Sequence, residues 1–399
     1  MANVGVYVQV PFCQTKCTYC NFHTGVVSSD RFAPYIQAVQ REIACERGML
    51  AAADVIPPTG FDWRSIRNAT LRLVDADTLY IGGGTPSLLS ADLLWSLLLS
   101  IYEAFRWESK EVTLEADPET IDEHKARAWV SCGINRISFG SQSFIDDELK
   151  AAGRMHRAAD IYSAVPTLRH SGISNISFDL IAGLPKQTHE SWRYSLAETI
   201  RLSPEHVSIY MMEIDEGSRL GLEVIRGGPR YNARDLPPEE AMADFYELAQ
   251  HDLRAAGYEQ YEISNWARPG FASKHNLKYW RREPYLGFGA GAHSFSGKQR
   301  WSNVHDAAAY VSAIEKGRSP IDNVQDVTTQ MALEEELFLG LRQIGGINLA
   351  RIEREYSVDL RAKVDRLTSS GMLEQCGDVL RLAPEKLNVS NEILVELLR

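Results

Sequence analysis

The chain has 399 residues, of which 44% are apolar and 24% charged, the composition of packed globular proteins rather than disordered or fibrous ones. Lys and Arg number 42 against 53 Asp and Glu, and the net charge of −11 argues against a general nucleic-acid-binding surface, which needs clustered cations. No run approaches the roughly 18 apolar residues of a membrane span, and the opening MANVGVYVQV lacks the basic and then apolar regions of a secretory signal, so a cytoplasmic protein is expected, with transient contact at a membrane surface left open.

Val4 to Val10 reads as a first strand, and the segment after it, VPFCQTKCTYC, carries Cys13, Cys17 and Cys20 as C-x3-C-x2-C on one loop. Phe32, Ile36, Val39 and Ile43 then share a helical face, with Gly48 as the stop signal. Ala51 to Arg72, with Pro57, Pro58 and Gly60, lengthens the first crossover and reads as a surface insertion. Strand patterns recur at Thr78 to Ile81, Glu111 to Glu115, Arg136 to Phe139, Asn175 to Ile181 and Val207 to Met211, with helical spacing between them.

Repeated strand-helix units give parallel strands with right-handed crossovers, so residues 1–230 are expected to form an α/β fold, a partial (β/α)6 barrel with its ligands at the C-terminal strand ends. Breaks at Gly227-Gly228-Pro229 and Pro237-Pro238 open a second stretch, 231–324, read as an extension of the barrel. From about Gln325 the pattern is mostly helical, with a hairpin-like Met372 to Leu382, which suggests a smaller winged-helix-like domain over 325–399.

Three of the six cysteines lie within eight residues, a crowding that suits one metal site in a reducing compartment. Three thiolates leave one iron of a [4Fe-4S] cube without a protein ligand, and an open iron can chelate a small molecule. A Cys3His zinc site with His23 as fourth ligand is the competing reading, although structural zinc usually collects ligands from two separated turns. Cys45, Cys132 and Cys376 stand alone and read as small buried apolar side chains. Gly82-Gly83-Gly84-Thr85-Pro86 after the second strand could bring bare backbone N–H groups against a charged ligand end. Glu115, Gln142, Arg154 and Asp179 stand at further strand ends, where a cap or a solvated loop residue is the plainer reading of each alone.

C-x3-C-x2-C after a first barrel strand resembles the radical S-adenosylmethionine superfamily. That resemblance implies that the methionyl group of S-adenosylmethionine chelates the unique iron and that one electron from the cluster cleaves the sulfonium to a radical. VPFC, GGGTP, EADP, RISFGSQSF, GRMH and DLIAGLPKQT together resemble the branch of that superfamily that holds oxygen-independent coproporphyrinogen III oxidases and the HemW haem chaperones. By analogy Tyr7, Tyr19, Gly83, Gly84, Thr85, Glu115, Gln142, Arg154 and Asp179 fall on positions that bind S-adenosylmethionine.

Within the branch, decarboxylating oxidases carry a further cysteine two residues after the triad, whereas this chain has Asn21-Phe22 there. His275-Asn276-Leu277-Lys278-Tyr279-Trp280 resembles the H-N-x-x-Y-W motif that the chaperones associate with haem. A histidine beside two aromatics is apt for that role, since imidazole ligates iron and rings pack on a porphyrin face; a core histidine in an aromatic cluster is the structural alternative. His293 and His305 are assigned no role. The resemblance implies a chaperone that binds haem and passes it to haem-accepting proteins such as respiratory haemoproteins, with a [4Fe-4S] cluster, S-adenosylmethionine and an electron donor. Whether it is also an enzyme stays open, the alternative being oxidative decarboxylation of coproporphyrinogen III.

Overall fold

In the computed structural model, which describes residues 3–52 and 74–398, the six expected strands lie side by side in parallel. They are β1 (Val4–Val10), β2 (Asp75–Gly83), β3 (Arg106–Ala116), β4 (Arg136–Gln142), β5 (Asn175–Ala182) and β6 (His206–Met211). The crossovers carry the helices α1 (Phe32–Ala52), α2 (Ala91–Ala104), α3 (Glu123–Ser131), α4 (Ala158–Ser171) and α5 (His189–Leu202). α1 continues through Gly48 rather than stopping there, because a glycine weakens a helix without ending it. Apart from Ala51 and Ala52, which close α1, the stretch read as an insertion lies outside the described residues.

Alternation along each strand sorts the side chains into two sets. Val4, Val6, Val8 and Val10 of β1, with Leu79 and Ile81 of β2 and Val112 and Leu114 of β3, are buried beneath the outer helices. Each such aliphatic side chain contributes roughly 1.5–3 kcal/mol by leaving water. The alternate residues face inward and are mostly polar: Tyr7 and Gln9, Thr78 and Tyr80, Glu111 and Glu115, Arg136 and Ser138, Ser177 and Asp179, His206 and Ser208. A polar lumen beneath an apolar jacket is the arrangement of a barrel that holds a ligand, since a purely structural interior would be filled by branched aliphatic layers.

Beyond β6 come α6 (Glu239–Ala255), β7 (Glu259–Glu262), β8 (Asn265–Ala267), α7 (Lys274–Trp280), β9 (Tyr285–Phe288), β10 (His293–Phe295), β11 (Gln299–Asn303), α8 (Ala307–Glu315) and β12 (Ile321–Asp326). The sheet reads β12-β11-β10-β9-β1-β2-β3-β4-β5-β6-β8-β7. β9 is a seventh parallel strand, set against β1 with Gly5 opposite Tyr285 and Val8 opposite Phe288. The buried Glu42 of α1 brackets this added edge: it accepts from Gly289 N at 2.8 Å, from Asn303 Nδ2 at 2.6 Å and from the Tyr310 hydroxyl.

A second apolar core gathers Leu333, Leu337, Ile352, Val364, Leu367, Leu380 and Leu394. It is enclosed by α9 (Thr329–Gly340), α10 (Leu349–Tyr356), α11 (Arg361–Ser369), α12 (Ser390–Leu398) and the hairpin of β13 (Leu373–Cys376) and β14 (Val379–Leu382). Helices around a small three-stranded sheet give the winged-helix-like form. Among the described residues no helix is long and apolar enough to cross a membrane. Cys132 is buried as its reading requires, but Cys45 is only partly covered and Cys376 is exposed, because it falls on the solvent side of the β13 hairpin strand.

Candidate functional site

A cavity of ≈ 720 Å³ opens at the C-terminal ends of the parallel strands. Cys13, Cys17 and Cys20 stand on its wall as free thiols, and Tyr19 stands with them. The loop that carries them is fixed by its backbone. Thr18 N donates to the Ala152 carbonyl at 3.0 Å, Leu220 N donates to the Thr18 carbonyl at 2.8 Å, and Cys20 N closes a turn onto the Cys17 carbonyl at 3.4 Å. Burial pushes the Cys13 thiol above its ordinary range, so its ionised form calls for a compensating cation.

The glycine loop does something other than the sequence suggested. Gly83 N donates to Glu115 Oε2 at 2.9 Å, Gly84 N to the Val10 carbonyl at 2.9 Å and Thr85 N to the Phe12 carbonyl at 2.6 Å. These N–H groups are therefore engaged inside the protein and are not bare. The need for glycine is steric: a Cβ on Gly84 would fall within contact distance of the Phe12 carbonyl, and Gly83 holds φ at +114°. The loop thus lets the end of β2 lie flat against the chain that enters the cysteine segment.

Gly83, Gly84, Thr85, Glu115, Gln142, Arg154 and Asp179 all reach the cavity wall. Glu115 also accepts from the Tyr80 hydroxyl at 2.9 Å, and burial pushes its carboxyl up to about 7. Asp179 accepts from Ser138 Oγ at 3.2 Å, its Oδ1 is buried with no hydrogen-bond partner, and burial raises its affinity for a proton. Gln142 holds φ at 62°, a left-handed conformation worth roughly 1–3 kcal/mol of strain in a non-glycine residue, where the β4 register slips. Arg154 pairs with Asp117, donates to the Gly140 carbonyl at 3.0 Å and reaches Cys17 Sγ at 3.6 Å. Asp117 in turn accepts from Thr85 Oγ1 at 3.0 Å, which links the glycine loop to the arginine.

Tyr7 lies off the cavity wall: its ring stacks against Tyr80 at 6.1 Å and its hydroxyl donates to Gln9. The H-N-x-x-Y-W residues divide. Trp280 lines the cavity, whereas His275 is buried inside the barrel floor, with Nδ1 2.9 Å from Thr78 Oγ1 and Nε2 2.9 Å from the Tyr279 hydroxyl. Burial, with the charges of Lys278 and Arg136, brings the His275 imidazole down to about 3, so it is neutral. Both its ring nitrogens are engaged within the protein, which the sequence could not have told. Asn276 is half-buried at the start of α7, its N–H donating to Ser273 Oγ at 3.3 Å.

α7 is held in place by Glu111, which accepts from Ser273 Oγ, Lys274 N and His275 N at 2.9–3.0 Å. Lys278 ties the same helix to Asp77 at 2.9 Å and Glu283 at 3.1 Å. Sequence reasoning missed Tyr80, Asp117 and Arg136, single inward residues that no spacing pattern marks. Arg136 is almost fully buried, and its Nε and Nη1 have no hydrogen-bond partner.

The zinc alternative is not built. Among the described residues no three His, Cys, Asp or Glu side chains gather as ligands of one ion, and His23 instead lies against His305 at 4.2 Å. Thiolates that share an iron–sulfur cube each bind a different iron and stand further apart than the ligands of a single zinc. The three free thiols on one loop, the partnerless Asp179 oxygen and the buried Glu115 therefore suit a cube together with a small polar ligand.

The radical SAM superfamily matches residues 7–198, and the HemN C-terminal domain matches residues 327–385. Heme chaperone HemW of Bacillus subtilis (strain 168) is 33% identical over 393 residues, which cover 97% of this chain and 97% of that protein. Heme chaperone HemW of Haemophilus influenzae is 37% identical over 292 residues, 73% of this chain and 70% of the relative. Among solved structures, coproporphyrinogen III oxidase (HemN) from Escherichia coli, a radical SAM enzyme, superposes with a TM-score of 0.80 at 21% identity, covering 99% of this chain and 90% of that one. At that identity the superposition establishes a shared fold.

Proposed function

The chain belongs to the radical SAM superfamily, in the family of its HemW relatives, and from that membership we propose that it is a cytoplasmic haem chaperone that binds haem and hands it to haemoproteins. The observation that carries this reading is one cavity whose wall holds both the three cysteine thiols and Trp280 of the H-N-x-x-Y-W motif. Asn21-Phe22, where the decarboxylating oxidases of the branch carry another cysteine, favours the chaperone over the oxidase.

Cys13, Cys17 and Cys20 would hold a [4Fe-4S] cluster, and Tyr19, Gly83, Gly84, Thr85, Glu115, Gln142, Arg154 and Asp179 would enclose S-adenosylmethionine, with Tyr7 set behind them against Tyr80. When bound, the pair supplies one-electron chemistry. The chain contributes placement. Glu115 and Asp179 are carboxyls suited to an ammonium and to ribose hydroxyls, and Arg154 holds Cys17 against Asp117. His275, Asn276, Tyr279 and Trp280 would serve haem. Trp280 offers a ring for the porphyrin face, and His275 would ligate iron only after leaving Thr78 and Tyr279.

Anaerobic reconstitution tests the proposal, with iron, sulfide and haem quantified on one sample and haem transfer to an apo-haemoprotein followed by absorbance. Bound cluster and transferable haem are expected. Robust conversion of coproporphyrinogen III to protoporphyrinogen IX would replace the chaperone reading with the oxidase, and a colourless zinc protein would overturn both.

A further inference from the structure

The cavity changes character where the C-terminal unit meets α7. There Trp280 stands beside Arg342, Ser390 and Asn391. Gln343 Nε2 donates to the Trp280 carbonyl at 3.1 Å, so the chain around Arg342 is latched to α7. The Arg342 guanidinium carbon lies 3.5 Å from the centre of the Phe338 ring, its Nε donates to Ser390 Oγ at 3.4 Å, and its Nη2 donates to Asn391 Oδ1.

Neighbouring arginines each have an acid. Arg282 and Arg300 pair with Glu335 at 2.9 and 2.8 Å, and Arg351 pairs with Glu336 at 2.7 Å. Arg342 differs: among the described residues no carboxylate is ion-paired with it, and its polar partners are neutral. Burial works against its charge with no acidic group to offset it. A half-buried guanidinium that keeps only neutral partners, on a cavity wall in a chain of net charge −11, offers an anion a planar, preorganised fork.

We propose that Arg342, with Ser390 and Asn391 behind it, is a carboxylate-binding subsite for the side arm of a flat amphipathic ligand whose ring system lies against Trp280. The proposal rests on the haem reading, under which the side arm is a propionate and the subsite fixes which edge of the macrocycle enters the cavity. A guanidinium–carboxylate contact is directional and bidentate, so it selects orientation as well as adding affinity.

The test compares haem with its dimethyl ester, which keeps the ring and the iron but has no carboxylate, by absorbance titration of the full chain. Wild-type protein is expected to bind haem roughly tenfold more tightly than the ester, the size of one charge-assisted contact. Arg342→Gln is expected to bind both equally, and Arg342→Lys to keep part of the preference. Equal binding of haem and ester by wild-type protein, or an undiminished preference in Arg342→Gln, would overturn the subsite while leaving the haem reading standing. Failure of wild-type protein to bind either molecule would overturn the haem reading and the subsite together.

Discussion

His275 and Tyr80 stack with ring centroids 5.3 Å apart and planes 28° from parallel. The same Tyr80 hydroxyl donates to Glu115, so the histidine of the H-N-x-x-Y-W motif and the buried carboxyl of the cavity share one aromatic wall. If His275 swings out to meet iron, it must give up this stack and its bonds to Thr78 and Tyr279.

Weakening its present pocket should therefore favour the swung-out form. Thr78→Val keeps the shape but leaves Nδ1 without a partner, a penalty of roughly 1–3 kcal/mol on the buried form. Haem affinity, measured by absorbance titration, is expected to rise about tenfold, and His275→Ala is expected to abolish the gain. Unchanged affinity in Thr78→Val would confine His275 to a structural role.

Gly84 sets how closely the end of β2 approaches the cysteine segment. Gly84→Ala would press a methyl group against the Phe12 carbonyl, which is backbone and cannot rotate away. Local strain of about 1–3 kcal/mol is expected, together with a marked fall in iron and sulfide retained after reconstitution. A variant with full cluster content and wild-type denaturation midpoint would mean that the loop yields more easily than this contact implies.

Under the proposed function, Glu115 should make S-adenosylmethionine binding depend on pH. Its carboxyl sits at about 7 because burial disfavours the charge, and a ligand ammonium beside it would pull that value down. Binding of S-adenosylmethionine should then release a proton below pH 7. Affinity should fall as the pH drops through 7, by up to about tenfold per pH unit, and level off above it. The stability of the unliganded protein runs the opposite way: a carboxyl raised in the folded state stabilises at low pH and loses that contribution as pH rises through about 7. Glu42 and Glu262, also raised to about 7, act in the same direction. Calorimetry in two buffers of different ionisation enthalpy checks the proton count; identical heats would remove Glu115 from the role.

Replacing any one of Cys13, Cys17 and Cys20 by Ala should cut iron and sulfide from about four each per chain to a small remainder, because two thiolates hold a cube poorly. Cys132→Ala should leave both unchanged. Cluster retained at full occupancy after loss of any one of the three thiols would overturn that residue's assignment as a ligand.

The parallel strands were legible because each is a run of β-branched and aromatic residues between helical patterns; Val4 to Val10 matches its strand end to end. The six strands that follow β6 in the same sheet were not. Glu259–Glu262, Asn265–Ala267, Tyr285–Phe288, His293–Phe295, Gln299–Asn303 and Ile321–Asp326 span three to six residues, short for a period to show, and their pairing is decided by the fold rather than by local pattern. The cysteine triad was legible from spacing alone. Where His275 points was not, since a histidine next to aromatics reads the same whether its nitrogens face a ligand or Thr78. Arg342 gave no signal because its meaning lies in the acid it lacks, which only its surroundings reveal.

The pairing of Gly5 with Tyr285 also has a temporal side. During synthesis β1 emerges first, yet the strand that covers its outer edge follows about 280 residues later, a delay of roughly 15–60 s at ordinary elongation rates. For that interval a valine-rich strand has an open flank, the condition under which strands pair wrongly or recruit other chains. Ribosome-bound fragments that stop before Tyr285 should accordingly be cleaved within β1 by added protease, and those extending past α8 should resist. The cysteine loop, which hangs from the end of β1, would gain a settled base only when the rest of the barrel has left the ribosome.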